Sequence, residues 1–147
     1  MPNRQTTEQE RARSAWSNVE NIDGKGFKKE YGSQARGLPA MIQTNGLGQT
    51  LAFLKAKGKN EDNAYKSLYT HLSRWGFARL TGDDSKKPIQ GTRGPGNQPI
   101  ETNDLLEWLI HHDSAVYRRA TTEALAYALW LRRFAEAKGW GDDGGGS

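Results

Sequence analysis

Three histidines occur in the 147-residue chain, two of them adjacent in His111-His112-Asp113. Such a trio raises the question of a metal or acid–base centre. On a helix, neighbouring side chains diverge by about 100°, so the two imidazoles cannot close on one ion. Helical zinc sites place their histidines four residues apart, with a carboxylate helping, and His71 is the one remaining histidine. The pair reads instead as a helix C-terminus, where cations meet the negative end of the dipole. Gly46-Leu47-Gly48 invites comparison with phosphate-binding loops. Leu51, however, stands where the dinucleotide fingerprint needs a third glycine, and the Gly-Lys-Ser/Thr ending of the ATP loop is missing. Gly46 is better explained as a helix stop. Glu30, Glu107, Glu123 and Glu136 show no spacing that pairs them for acid–base catalysis. Zero cysteines exclude thiolate nucleophiles, disulfides and cysteine zinc sites together. The sequence therefore assigns no catalytic residue, no metal and no cofactor.

What remains is charge. The net charge is +4 and the isoelectric point about 9.4, with the surplus concentrated at the start. Residues 1–60 carry ten Lys and Arg against five Asp and Glu, whereas 102–147 carry five against seven. Lys25, Lys28, Lys29, Arg36, Lys55, Lys57, Lys59 and the pairs Arg118-Arg119 and Arg132-Arg133 are the candidates. They permit an anionic partner such as RNA, and equally fit an ordinary solvated surface.

The elements that must carry these groups read as helices. Ser114 to Lys138 lacks Pro and Gly and repeats Val116, Ala120, Ala124, Tyr127, Ala128, Leu131, Phe134 and Ala135 at helical spacing. Leu125, Leu129 and Trp130 spread apolar character around it, which predicts a central helix surrounded by neighbours. Asp113 or Ser114 is its N-cap and Gly139 its stop. Upstream, Thr7 with Glu10 suggests a capping box opening a first helix that ends near Gly24. A second helix is expected from about Phe27 to Arg36. Pro39 then begins a separate short one, and Leu47, Leu51 and Leu54 lie on a third. A further helix starts near Glu61 or Asp62, and a short one is capped by Thr102, Asn103 or Asp104.

Residues 81–99 hold four Gly, three Pro and a lone apolar Ile89, and are expected to form a mobile loop too polar and broken to pack. Trp16, Trp75, Trp108 and Trp130 occupy inward positions, while Trp140 lies past the last helix, exposed or against another chain. The predicted fold is all-α: five to six helices around a long C-terminal one. It forms a single domain, ordered over about 7–80 and 102–139, with 140–147 a flexible tail. Mean hydropathy is −0.86. Without a membrane-length apolar run or a signal-like N-terminus, the chain is expected to be cytoplasmic, with no membrane partner.

Several of these residues also resemble a known pattern. Leu38-Pro39, Ile42, Asn45-Gly46-Leu47 and Ala52-Phe53-Leu54, followed by Glu123-Ala124 and the Trp130-Leu131-x-Arg133-Phe134-Ala135 ending, are similar to the small all-helical subunit of the type III-B CRISPR (Cmr) RNA-guided effector complex. The resemblance covers about half the chain and keeps its order. It implies a non-catalytic subunit whose copies stack head to tail as an inner filament beside larger backbone subunits. A basic face would then follow the guide RNA–target RNA duplex. Arg133 is the one charged residue that the pattern carries; Arg36, Lys55, Lys57 and Arg118 join it as expected RNA contacts from the charge distribution. The other reading is a helical protein–protein adaptor with no nucleic-acid contact.

Overall fold

The computed structural model describes residues 6–89 and 91–141. Helices α1 (Thr7–Ile22), α2 (Lys28–Asn45), α3 (Leu47–Gly58), α4 (Ala64–Thr81), α5 (Leu105–Ile110) and α6 (Ser114–Ala137) follow in chain order. Between α4 and α5 the two-residue strands β1 (Lys87–Pro88) and β2 (Glu101–Thr102) pair antiparallel. The all-α expectation holds. The expected tail from 142 onward lies outside the described residues, as do residues 1–5.

Local chemistry explains most boundaries. Thr6 and Gln9, one residue earlier than the spacing suggested, form the reciprocal capping box of α1. Asn63, Asp104 and Asp113 each accept a backbone N–H at the start of α4, α5 and α6. Gly46, at φ 89°, ends α2 and opens α3, a conformation that only glycine adopts without strain. The predicted break at Gly37-Leu38-Pro39 does not occur: α2 runs on through Pro39. Pro39 cannot donate to the carbonyl four residues back. Leu38 and Pro39 are nonetheless buried, and packing of that face outweighs one missing backbone bond.

Helix α6 lies against α2, α1 and α4, while α3 packs on α4. Ala120, Ala124, Ala128, Leu131 and Ala135 form its buried stripe. Small residues there let the neighbouring backbones approach closely. Tyr127, fully buried, stacks on Trp75 at 5.0 Å. Its hydroxyl accepts from Asn18 at 2.6 Å and bonds Ser14 at 2.8 Å, so the polar atom is satisfied inside the bundle.

Four expectations about burial need correction. Helix α6 is not surrounded, because Leu129 is 47% exposed and Trp130 only half-buried. Trp16 lies at the surface too, edge-on to Phe134. Trp140 is neither exposed nor part of a tail: it is 5% exposed, within the core, with Tyr31 edge-on at 6.3 Å. Ile89, in the segment expected not to pack, is fully buried. Its N–H donates to the Ile100 carbonyl at 2.7 Å, extending the β1–β2 pair. One buried apolar residue and a backbone pair order this part of the loop.

Candidate nucleic-acid interface

Helix α4 ends in the turn that carries Arg79, and the first two turns of α6 carry Arg118 and Arg119. These three, with Leu80, Ala115, Thr122 and Glu123, line an open concavity of about 530 Å³. Its floor is held rigidly. The Arg11 guanidinium from α1 grips Glu123 of α6 with two bonds, Nε to Oε2 at 2.6 Å and Nη2 to Oε1 at 3.0 Å. The Trp75 indole N–H from α4 donates to the same carboxylate at 2.7 Å. Three helices are thus pinned at one point. Burial pushes the Glu123 carboxyl up, yet the bonds from Arg11 and Trp75 and the charges of Arg11 and Arg79 together hold it below the ordinary range.

Charge at the concavity follows from this arrangement. Arg11 already neutralises Glu123, and Glu10 pairs with Arg79 at 3.2 Å, while Arg79 also lies over the Trp75 ring. Among the described residues, neither Arg118 nor Arg119 has an ion-pair partner, and both reach solvent. Two uncompensated guanidiniums beside a third, in a concave wall, make a local surplus of planar, multi-donor cations. That geometry suits phosphate oxygens. Nothing in the lining pairs a nucleophile with a base.

The five expected RNA contacts divide among several places. Arg118 falls in this concavity. Arg36 on α2 and Lys57 on α3 are exposed, without an ion pair among the described residues. Lys55 leans on Asp104 at 3.3 Å and over the Tyr69 ring, so its charge is partly compensated. Arg133 lies 3.4 Å from Glu136 and lines a different concavity, with Glu8, Ala126, Leu129 and Trp130. The sequence did not single out Arg79. It lies near the end of α4 with no motif around it, and only the packing of α4 on α6 brings it beside the Arg118-Arg119 pair.

The histidines behave as isolated groups. His111 is exposed at the end of α5, while His112 stacks on Trp108 with its Nδ1 2.6 Å from the Trp108 carbonyl. Asp113 is occupied as the α6 cap. Among the described residues no three His, Asp or Glu side chains converge as metal ligands. The N-terminus of α3, where a phosphate loop would act, is closed: Gly48 N–H donates to the Tyr117 hydroxyl at 2.7 Å.

An all-helical bundle with a phosphate-suited basic concavity is thus the class that fold and site define. Comparison with known proteins gives the family. Residues 7–138 match the model of the CRISPR-associated protein family Cas_Cmr5. A protein of Thermus thermophilus named CRISPR system Cmr subunit Cmr5 is 31% identical over 127 residues, spanning 86% of this chain and 90% of that protein. The Thermotoga maritima protein of the same name is also 31% identical, spanning 86% and 80%. The crystal structure of a CRISPR-associated Cmr5 family protein from Thermus thermophilus superposes with a TM-score of 0.65 at 27% identity, covering 91% of this chain and 97% of that one. The chain belongs to the CRISPR-associated Cmr5 family.

Proposed function

We propose that the chain is a non-catalytic structural subunit of a type III-B Cmr effector complex in the cytoplasm. Its copies stack in a filament alongside the other Cmr subunits and touch the phosphates of the guide RNA–target RNA duplex. Membership of a family whose curated relatives are named Cmr subunits supports the assembly. The observation that carries the RNA contact is the pairing of Arg118 and Arg119 with Arg79 in one concave wall. Phosphate contacts position a duplex without reading its sequence, and base pairing by the guide leaves the protein nothing to read. Arg36 and Lys57 extend the basic surface, with Lys55 a weaker contributor. No helix among the described residues is long and apolar enough to cross a membrane.

The test is affinity purification of the tagged chain from its host. A ribonucleoprotein containing short guide RNAs and other Cmr subunits is expected. Recovery of protein partners without RNA would instead favour the adaptor reading, for which the exposed Leu129 and Trp16 speak.

A further inference from the structure

Helix α4 borders a second concave surface beside the basic one. Two open lobes of about 470 and 340 Å³ share Thr70, Arg74 and Asp84, and so form one cleft between α1, α4 and the turn after α4. Trp75 is its wall toward the basic concavity: it lines the cleft, and its indole N–H donates to Glu123 on the other side. The cleft holds unused bonding capacity. Of the two aspartates in the turn, Asp83 accepts from the Ser85 N–H at 3.0 Å and from Lys87 at 2.7 Å. The Asp84 carboxylate has neither an ion pair nor a hydrogen bond among the described residues, while its backbone carbonyl accepts from Asn103 at 3.2 Å and fixes the turn. Arg74 is likewise unpaired among the described residues, although it lines the same two lobes as Asp84. Opposite charges that line one cleft without meeting leave room for a group that accepts from one and donates to the other. The half-buried Thr70 adds a hydroxyl with no partner among the described residues. Trp75 offers no face to a nucleobase, because it is stacked on Tyr127 and lies under Arg79.

We propose that this cleft recognises the RNA backbone by its ribose: Asp84 accepts from a 2′-hydroxyl while Arg74 donates to the adjoining phosphate. A cation, an anion and a hydroxyl without a stacking surface suit sugar and phosphate rather than a base. In an A-form duplex the 2′-hydroxyls line the wide, shallow minor groove, where a protein surface reaches them together with phosphates. A backbone lacking that hydroxyl would meet in Asp84 only a carboxylate facing phosphate, which repels it. The inference rests on the RNA contact proposed above and adds selectivity to it, since the arginines of the basic concavity cannot tell ribose from deoxyribose.

The experiment titrates the full chain against a short RNA duplex and against the same duplex carrying 2′-fluoro sugars, read by fluorescence anisotropy at low salt. Fluorine keeps the A-form sugar pucker but cannot donate a hydrogen bond. The parent is expected to bind the hydroxyl duplex about three- to tenfold more tightly, the range of one added hydrogen bond. Asp84→Ala should bring the two affinities together and, having lost a negative charge, bind the fluoro duplex at least as tightly as the parent does. Arg74→Ala should weaken both and narrow the gap. Neither side chain is bonded within the chain, and unchanged circular dichroism and melting confirm folding. Arg118→Ala/Arg119→Ala should weaken both duplexes by the same factor and keep the preference. Equal affinity of the parent for the two duplexes, or a preference that survives Asp84→Ala, overturns the cleft while leaving the basic concavity standing. Binding that Arg118→Ala/Arg119→Ala leaves intact, with a preference that Asp84→Ala removes, overturns the concavity and supports the cleft. No binding of either duplex overturns both.

Discussion

Trp140 lies across Gly32 so closely that a Cβ on Gly32 would sit 2.6 Å from the Trp140 carbonyl oxygen, and closer still to its Cβ. The segment after α6 therefore turns back over α2 and fills a notch that only glycine leaves open. Gly141, at φ 75°, continues the fit against the Ser33 backbone.

Gly32→Ala must displace the Trp140 backbone, and Trp140→Ala empties the place of the indole. Each is expected to destabilise the chain, Trp140→Ala by about 3–5 kcal/mol. A domain holds only about 5–15 kcal/mol in total, so the loss is large. Chemical denaturation reads it directly, and a midpoint unchanged in both variants would show that the segment contributes nothing.

The contrast with Trp130 is informative. Half-buried, with its indole N–H donating to Glu8 at 2.6 Å, Trp130 should cost about 1–2 kcal/mol on truncation, since only part of its surface leaves water. Trp140→Ala is expected to lower the melting temperature more than Trp130→Ala. The reverse order would mean that the last turns of α6, not the returning segment, anchor this end.

Sequence periodicity gave no access to that ranking. Most helix positions, the Asp104 and Asp113 caps and the Gly46 stop were legible because they depend on residues within a few positions of one another. The buried stripe of α6 was legible from its 3.6-residue repeat. Trp140 and Ile89 lie outside any periodic run, so their burial depends on residues distant in sequence: Gly32 for one, the partner strand at Ile100 beside the other. The exposure of Leu129 was hidden for the opposite reason. An apolar helix reads as surrounded whether its last neighbour is in the same chain or absent from it. At the site, Arg118-Arg119 could be seen as a pair, but Arg79 is some 40 positions away and no local pattern joins them. Arg11 and Glu123, 112 residues apart, are the extreme case.

That pair can be measured. Arg11 and Glu123 side chains are 18% and 14% exposed, so removing one leaves the other poorly solvated. Arg11→Ala and Glu123→Ala are each expected to cost about 2–4 kcal/mol. The double variant should cost clearly less than their sum, because the stranded charge is then gone. Additive losses in a denaturation cycle would mean the pair does not couple α1 to α6.

His71 gives the fold an acid sensitivity. Burial, and then the Arg74 charge, push its imidazole down to about 4, while its Nδ1 bonds the Tyr31 hydroxyl at 2.7 Å. The unfolded chain takes up that proton near its ordinary value of 6.5. Between the two, the unfolded state binds more protons than the folded state. Stability is therefore full above pH 6.5 and falls as pH drops toward 4, by on the order of 1–3 kcal/mol. His71→Gln should flatten the melting temperature across that window, although Glu123 still adds a loss at lower pH. A parent whose melting temperature is level from pH 7 to 4.5 contradicts the buried neutral imidazole.

The RNA contact is tested most directly by retention of target RNA on the assembled complex across a salt series, comparing the parent with Arg118→Ala/Arg119→Ala. Each neutralised phosphate contributes a slope of about 0.7–0.9 to the logarithmic salt dependence. The double variant is predicted to be incorporated normally, to bind more weakly by the same factor with unrelated guide sequences, and to show a shallower slope. Equal retention and an equal slope, with incorporation verified, would contradict an RNA-contacting face at the Arg79–Arg118–Arg119 concavity.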